Sequence, residues 1–259
     1  MSLEGFTKQH IVEKLRHEMQ SVGLEQAIQI YLEAARIQPV SVLETKNPEA
    51  FNEYRQRLAT EPGIIIANHP GFFDTPLILS TLKRNDVKII VSKSNFAQLA
   101  PIIGSDHLVE VSDEPDKMWD VLNNVKTHIH SGGVVLLYPT GGGDRVDKGE
   151  SFEFEGGFSV LVRKCLRPTD MVYSFWVHPE DIQPLIEETI SRNTGAASAF
   201  AFGDAINPNR FKQTADIKFD EVCDNAESWQ RLITEQTPQM SRADRNKKLA
   251  EHFRGQFSV

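Results

Sequence analysis

The stretch GIIIANHPGFFDTP, residues 63–76, changes from apolar to polar about halfway along its length. Its first half is a continuous aliphatic run, which is typical of a strand buried on both faces and predicts a strand over residues 63–68. Its closing threonine–proline pair predicts the start of a helix over residues 76–84. His69 and Asp74 lie between these two elements. The sequence therefore places two titratable side chains just beyond the end of a buried strand.

The alternation of strand and helix continues along the chain. Further strands are predicted at residues 87–92, 107–111, 133–138, 171–177, 197–202 and 215–221. Helices are predicted between and after them, at residues 95–103, 114–130, 157–166, 226–235 and 241–253. Apolar strands separated by helices predict an α/β fold, with a mostly parallel mixed sheet covered by helices on both faces. Ligands of such sheets bind at the carboxyl ends of the strands.

The beginning of the chain differs, because it has helical spacing without any strand pattern. Helices are predicted over residues 6–20, 24–36 and 48–59. We therefore divide the chain into a helical N-terminal segment, residues 1–60, and an α/β domain, residues 61–259. The sequence leaves open whether the N-terminal helices form a small domain over the site or pack against the sheet.

Composition and charge exclude several classes of protein. The 259 residues are 40% hydrophobic and 25% charged, as in an ordinary globular protein. The net charge of −8 argues against nucleic-acid binding. The sequence has no apolar stretch of membrane-spanning length and no signal-peptide pattern, and its two cysteines form no disulfide pattern. These features predict a cytoplasmic protein and leave peripheral contact with a membrane surface open.

His69 and Asp74 have the residue types of a general base and its orienting partner. An aspartate that accepts a hydrogen bond from one imidazole nitrogen fixes the tautomer, and the other nitrogen can then remove a proton from a substrate hydroxyl. Pro70 and Gly71 would make the turn between the two residues, and the two phenylalanines after them would exclude water. The alternative is a turn histidine that hydrogen-bonds only to the backbone.

A second polar stretch, YPTGGGDR at residues 138–145, follows another apolar run. Its three glycines let the backbone approach a ligand and turn N–H groups toward an anion. Arg145 could bind a phosphate through its guanidinium fork. The stretch lacks the Gly-Lys-Ser/Thr ending of a P-loop. By itself it is equally consistent with a surface turn.

Together the two stretches resemble motifs of the glycerolipid acyltransferase superfamily. The first matches the His-x-x-x-x-Asp motif of that superfamily. The second is most similar to the Pro-Ser-Gly-Gly-Arg-Asp-Arg loop of the soluble, plastid-type glycerol-3-phosphate acyltransferases. The segment FEGGF, residues 154–158, resembles the start of the glycine-containing helix that follows in these enzymes. The resemblance covers residues 60–180 of this chain, roughly.

The resemblance implies an acyltransferase that moves a fatty acyl group from an acyl thioester to a hydroxyl acceptor, a glycerolipid precursor. The donor would be acyl-CoA or an acyl carrier protein, and no metal or further cofactor is expected. His69 would be the general base and Asp74 its partner, without a covalent acyl-enzyme. Substrate-binding residues would come from the two stretches and from one nearby lysine: Asn68, Pro70, Gly71, Phe72, Thr140, Gly141, Gly142, Gly143, Arg145 and Lys93.

Three departures from the family pattern keep the acceptor and the activity open. Thr140 stands where most of the superfamily has glutamate, and Gly143 stands where the plastid-type loop has its first arginine. The segment VEVSDE, residues 109–114, is acidic where basic residues would favour an acceptor phosphate. An uncharged acceptor, a non-catalytic lipid- or acyl-carrier-binding protein and an acyl-thioester hydrolase are therefore alternatives. Lys93 could restore a cation, or it could be an ordinary solvent-exposed lysine.

Other conspicuous residues are expected to be structural. Trp119, Trp176 and Trp229 fall in apolar patterns and are expected in the core. His128 and His130 are two residues apart on a predicted helix, so they face different directions and are not expected to share a metal ion.

Overall fold

The computed structural model describes residue 17 and residues 21–34, 48–69, 74–111, 114–141, 152–177, 219–235 and 240–257. Helices in these segments are α1 (Leu24–Ala34), α2 (Pro48–Thr60), α3 (Asp74–Leu82), α4 (Lys93–Ile103), α5 (Pro115–His130), α6 (Gly156–Cys165), α7 (Ala226–Thr234) and α8 (Arg242–Phe257), with a 3₁₀ turn at Ser105–His107. Strands are β1 (Gly63–Ala67), β2 (Val87–Ser92), β3 (Leu108–Val111), β4 (Val134–Leu137), β5 (Met171–Val177) and β6 (Phe219–Asn225).

The strands form one six-stranded sheet in the order β3-β2-β4-β1-β5-β6. Neighbouring strands are parallel except β5 and β6, which are antiparallel. The predicted α/β class with a mostly parallel mixed sheet is confirmed. All five residues of β1 are buried, as its continuous aliphatic run predicts. Ile66 near the end of β1 pairs with Leu137 of β4, so the polar residues after both strands leave the sheet at the same edge.

Apolar side chains cover both faces of the sheet. One core contains Ile65 of β1 together with side chains of α1 to α4, and the other contains Ile64 together with side chains of α5 to α8. Leu24 of α1 and Leu58 of α2 belong to the first core. The described N-terminal helices therefore pack against the sheet, which is one of the two arrangements that the sequence left open.

Strands β1 and β5 approach each other closely at Gly63. A Cβ atom on this glycine would lie 2.1 Å from the carbonyl oxygen of Met171. Because that contact is with backbone, a side chain here would push the two strands apart. Close packing of β1 on β5, and not a role in catalysis or binding, therefore requires glycine at position 63.

The prediction that Trp119 lies in the core is wrong, since 62% of its surface is exposed. Helix α5 buries Leu122, Val125 and Ile129, which form one stripe. At about 100° per residue, Trp119 lies roughly 80° from the centre of that stripe, at its flank, where a side chain can remain exposed. Trp176 and Trp229 are buried as predicted, with 4% and 0% of their surfaces exposed.

Some predicted elements fall outside the described residues. These are the strand at 197–202, the first part of the strand at 215–221, and all of the helix at 6–20 except residue 17. No helix in the described segments is both long and apolar enough to cross a lipid bilayer.

Candidate active site

Strand β1 and helix α3 bring His69 and Asp74 together at the carboxyl edge of the sheet. His69 lies two residues beyond the end of β1, and α3 begins at Asp74. The imidazole Nδ1 is 2.6 Å from Asp74 Oδ2. The Asp74 side chain is completely buried, whereas 30% of the His69 side chain is exposed. The hydrogen bond expected between the two side chains is present, and one face of the pair is accessible to a substrate.

The second carboxylate oxygen of Asp74 is also held. Asp74 Oδ1 accepts the backbone N–H of Thr75 at 2.5 Å, the Thr75 hydroxyl at 3.2 Å and the Tyr138 hydroxyl at 3.3 Å. A buried carboxylate needs such donors, because burial without them is costly. The start of a helix adds a further favourable field for a negative charge. Asp74 is therefore fixed with Oδ2 directed at His69.

The N-terminus of α3 differs from the sequence prediction in one respect. The threonine–proline pair predicts Thr75 as the N-cap, but the helix already includes Asp74 and Thr75. The Thr75 hydroxyl instead contacts Asp74 Oδ1 and lies 2.5 Å from the Tyr138 hydroxyl. Thr75, the predicted N-cap, is therefore part of the polar cluster around the Asp74 carboxylate.

Tyr138 is a site residue that the sequence did not reveal. It follows β4 directly, and its ring stacks on His69 with centroids 4.2 Å apart and planes inclined by 20°. Its position at the end of a predicted strand was visible in the sequence. The contact became evident only from the sheet order, in which β4 lies next to β1.

Asn68 fastens the end of β1 to the end of β5. Its side-chain amide donates to the carbonyl oxygen of Val177 at 2.7 Å, and its side-chain oxygen accepts the backbone N–H of Val177 at 2.7 Å. Asn68 is fully buried. These contacts hold the edge from which His69 projects, and direct substrate binding by Asn68 stays a prediction.

The beginning of the glycine-rich stretch forms a tight turn beside the pair. Gly141 has a φ of 74° and donates its N–H to the carbonyl oxygen of Tyr138 at 3.0 Å. Glu155, just before α6, donates its N–H to the carbonyl oxygen of Pro139 at 2.6 Å. Half-buried Thr140 lies within the turn. The turn therefore follows directly from the residue that stacks on His69, and α6 starts beside it.

The other predicted binding residues are not all described by the structure. Pro70, Gly71, Phe72, Gly142, Gly143 and Arg145 lie outside the described residues. Lys93 is exposed at the first position of α4, after β2, and β4 separates β2 from β1. Lys117, which pairs with Glu114 at 2.9 Å, lowers the pKa of Glu114, and Lys93 adds a smaller effect. Lys93 thus lies near the acidic segment, and its contact with substrate stays a prediction.

Metal-ligating residues do not cluster in the segments that the structure describes. No group of three or more His, Cys, Asp or Glu side chains there is arranged to hold a metal ion.

Fold and site together define an α/β protein with a histidine–carboxylate pair at the carboxyl edge of a parallel sheet. A family model named Acyltransferase matches residues 42–179, which include β1 to β5 and both polar stretches. Because this match covers more than half of the chain, the protein belongs to the acyltransferase family. Membership supports transferase activity, with an acyl donor and a lipid acceptor in general. A search of curated proteins found no match.

Proposed function

We propose that this protein transfers a fatty acyl group from an acyl thioester, acyl-CoA or acyl carrier protein, to the hydroxyl of a glycerolipid precursor. His69 is the general base of this proposal. The observation that carries it is the 2.6 Å hydrogen bond between His69 Nδ1 and the buried Asp74 Oδ2. A partly exposed imidazole with a buried carboxylate behind it is suited to removing a proton from a bound hydroxyl.

The hydrogen bond assigns the protons of the resting pair. Nδ1–H of neutral His69 donates to Asp74, so the basic lone pair of the ring is on Nε2. Nε2 takes the proton of the acceptor hydroxyl while the hydroxyl oxygen attacks the thioester carbonyl carbon. Asp74 stabilises the imidazolium that forms. Collapse of the tetrahedral intermediate breaks the C–S bond, and the imidazolium returns its proton to the thiolate. The products are an ester and a free thiol.

The oxyanion of that intermediate needs hydrogen-bond donors. Gly141 already uses its N–H inside the turn, so we assign this task to the backbone of Gly142 and Gly143, with Arg145 as a cation for the oxyanion or an acceptor phosphate. The support is the position of the turn, which starts at the tyrosine stacked on His69. Each oxyanion donor typically contributes about 3–4 kcal/mol. Pro70, Gly71, Phe72 and Lys93 are proposed to line the substrate site.

A thiol-release assay separates the candidate functions. The protein is incubated with palmitoyl-CoA, or with palmitoyl-acyl carrier protein, in the presence and absence of glycerol-3-phosphate, lysophosphatidate and monoacylglycerol. Acceptor-dependent release of thiol identifies a transferase. Release without any acceptor identifies a hydrolase, and binding without release identifies a non-catalytic protein. Each of the last two results would contradict the proposal.

The variant His69→Ala tests the assignment of the base. Loss of the positioned base is expected to lower kcat by about 10³-fold. His130→Ala, an exposed histidine on α5, is the matched control and should keep full activity. Unchanged acyl transfer by His69→Ala would refute the proposed mechanism.

A further inference from the structure

We infer that Tyr138 is a positioning residue of the His69–Asp74 pair, because its hydroxyl orients the carboxylate and its ring stabilises the protonated imidazole. This inference rests on the proposed function, in which His69 is protonated during each turnover. Tyr138 would be the third side chain of the site. It follows β4, whereas His69 follows β1.

The Tyr138 hydroxyl belongs to a hydrogen-bonded cluster on the Asp74 carboxylate. Two hydroxyls, of Thr75 and Tyr138, lie 2.5 Å apart, and both reach Asp74 Oδ1, at 3.2 Å and 3.3 Å. One hydroxyl proton lies between the two oxygens, and the other is left to donate to the carboxylate. The Thr75 backbone N–H holds the same carboxylate oxygen at 2.5 Å. Because these donors hold Oδ1, they restrain the Asp74 carboxylate from rotating away from His69.

The Tyr138 ring stacks on the imidazole of His69. The Tyr138 and His69 rings are nearly parallel, with centroids 4.2 Å apart. An aromatic face is electron-rich and attracts a cation placed over it. The imidazolium that forms when His69 accepts the substrate proton lies over such a face. Asp74 at the start of α3 and Tyr138 just after β4 are titratable groups that contact His69, the first through its carboxylate and the second through its aromatic ring.

Tyr138 also connects the pair to the glycine-rich turn. Its carbonyl oxygen accepts the N–H of Gly141 at 3.0 Å, while its side chain contacts His69 and Asp74. One residue therefore sets both the position of the base and the start of the loop proposed to hold the oxyanion. Replacing the Tyr138 ring should therefore lower kcat, which depends on His69, more than it changes KM.

Two variants separate the roles of hydroxyl and ring. Tyr138→Phe removes the hydroxyl and keeps the stacked ring, and we expect kcat to fall about fivefold to tenfold with KM unchanged. Tyr138→Leu removes both, so kcat falls further. The acid limb of its profile of kcat/KM against pH moves to lower pH, because the imidazolium has lost its aromatic partner. Tyr173→Phe is the matched control, since the Tyr173 hydroxyl donates to the carbonyl oxygen of Arg57 at 3.1 Å and should affect stability without affecting kcat.

A substrate-independent measurement keeps this inference separate from the proposed function. The protein is labelled with ¹⁵N-histidine, the His69 signal is identified by its absence in His69→Ala, and its titration is followed by NMR. The inference predicts that His69 of Tyr138→Leu titrates at lower pH than in the native chain. A shift in a protein that shows no acyl transfer would support the positioning role while refuting the proposed function. An unchanged titration in Tyr138→Leu, or an unchanged kcat in an active Tyr138→Phe, would overturn the inference.

Discussion

Histidines lie at both edges of the sheet, but their hydrogen-bond partners differ in kind. At the carboxyl edge, His69 bonds to the buried carboxylate of Asp74 at 2.6 Å. At the amino edge, His128 lies 2.8 Å from the carbonyl oxygen of Asp86, and His107 lies 3.0 Å from that of Val87. A carboxylate stabilises a protonated imidazole, whereas a neutral carbonyl mainly fixes the tautomer. The hydrogen-bond partner of each histidine therefore distinguishes a candidate general base, His69, from the structural residues His107 and His128.

Electrostatics at the amino edge agree with this distinction. Burial is the main reason that the pKa of His128 lies below its usual value, and the nearby Lys88 lowers it further. The His128 ring therefore resists protonation more than a solvated imidazole does, and the described residues place no carboxylate hydrogen bond on it.

The largest effect is expected from Asp74→Asn. The amide is isosteric but neutral, and it can donate to Nδ1 and hold the wrong tautomer of His69. We expect kcat for acyl transfer from palmitoyl-CoA to fall by up to about 10³-fold, the loss expected for removal of His69 itself, with little change in thermal stability. His128→Gln at the other edge should keep activity within about twofold. A loss below tenfold in Asp74→Asn would show that the carboxylate does not support the base.

A smaller effect is expected from Asn68→Ala, which tests how the carboxyl edge is held. The change leaves the backbone N–H and carbonyl oxygen of Val177 without their buried partner. Two such losses should lower the free energy of unfolding by about 2–4 kcal/mol, measured by urea denaturation. Asn124→Ala removes an exposed contact with Lys88 and should cost less than about 0.5 kcal/mol. Equal losses of unfolding free energy in the two variants would contradict the proposal that Asn68 holds β1 to β5.

The smallest effect is expected from His128→Gln. Loss of the contact with the Asp86 carbonyl should cost about 1 kcal/mol of unfolding free energy at neutral pH. Because the pKa of His128 is lower in the folded chain, the unfolded chain binds more protons, and stability falls as pH drops from 6.5 through the folded pKa. Burial lowers the pKa of His252 in the same direction. His128→Gln should therefore weaken, without abolishing, the loss of stability between neutral and acidic pH, and an unchanged pH dependence would refute this account.

The sequence was informative where a local pattern determines structure. The aliphatic run before His69 predicted a buried strand, and the spacing to Asp74 predicted their pairing. Tyr138 could not be predicted, because its contact depends on β4 lying between β2 and β1, an order that local patterns do not encode. Trp119 shows a second limit, since an apolar residue can flank the buried stripe of a helix and remain exposed. Non-local pairing and helix rotation are properties of the folded chain.

A double-mutant cycle tests whether His69 and Asp74 act as one catalytic unit. Acyl transfer from palmitoyl-CoA is measured for the native chain, His69→Ala, Asp74→Asn and the double variant. Residues that act together are strongly non-additive, so the double variant should lose about the same factor as His69→Ala alone. Losses that multiply would mean that the two side chains contribute independently, and that result would contradict the mechanism.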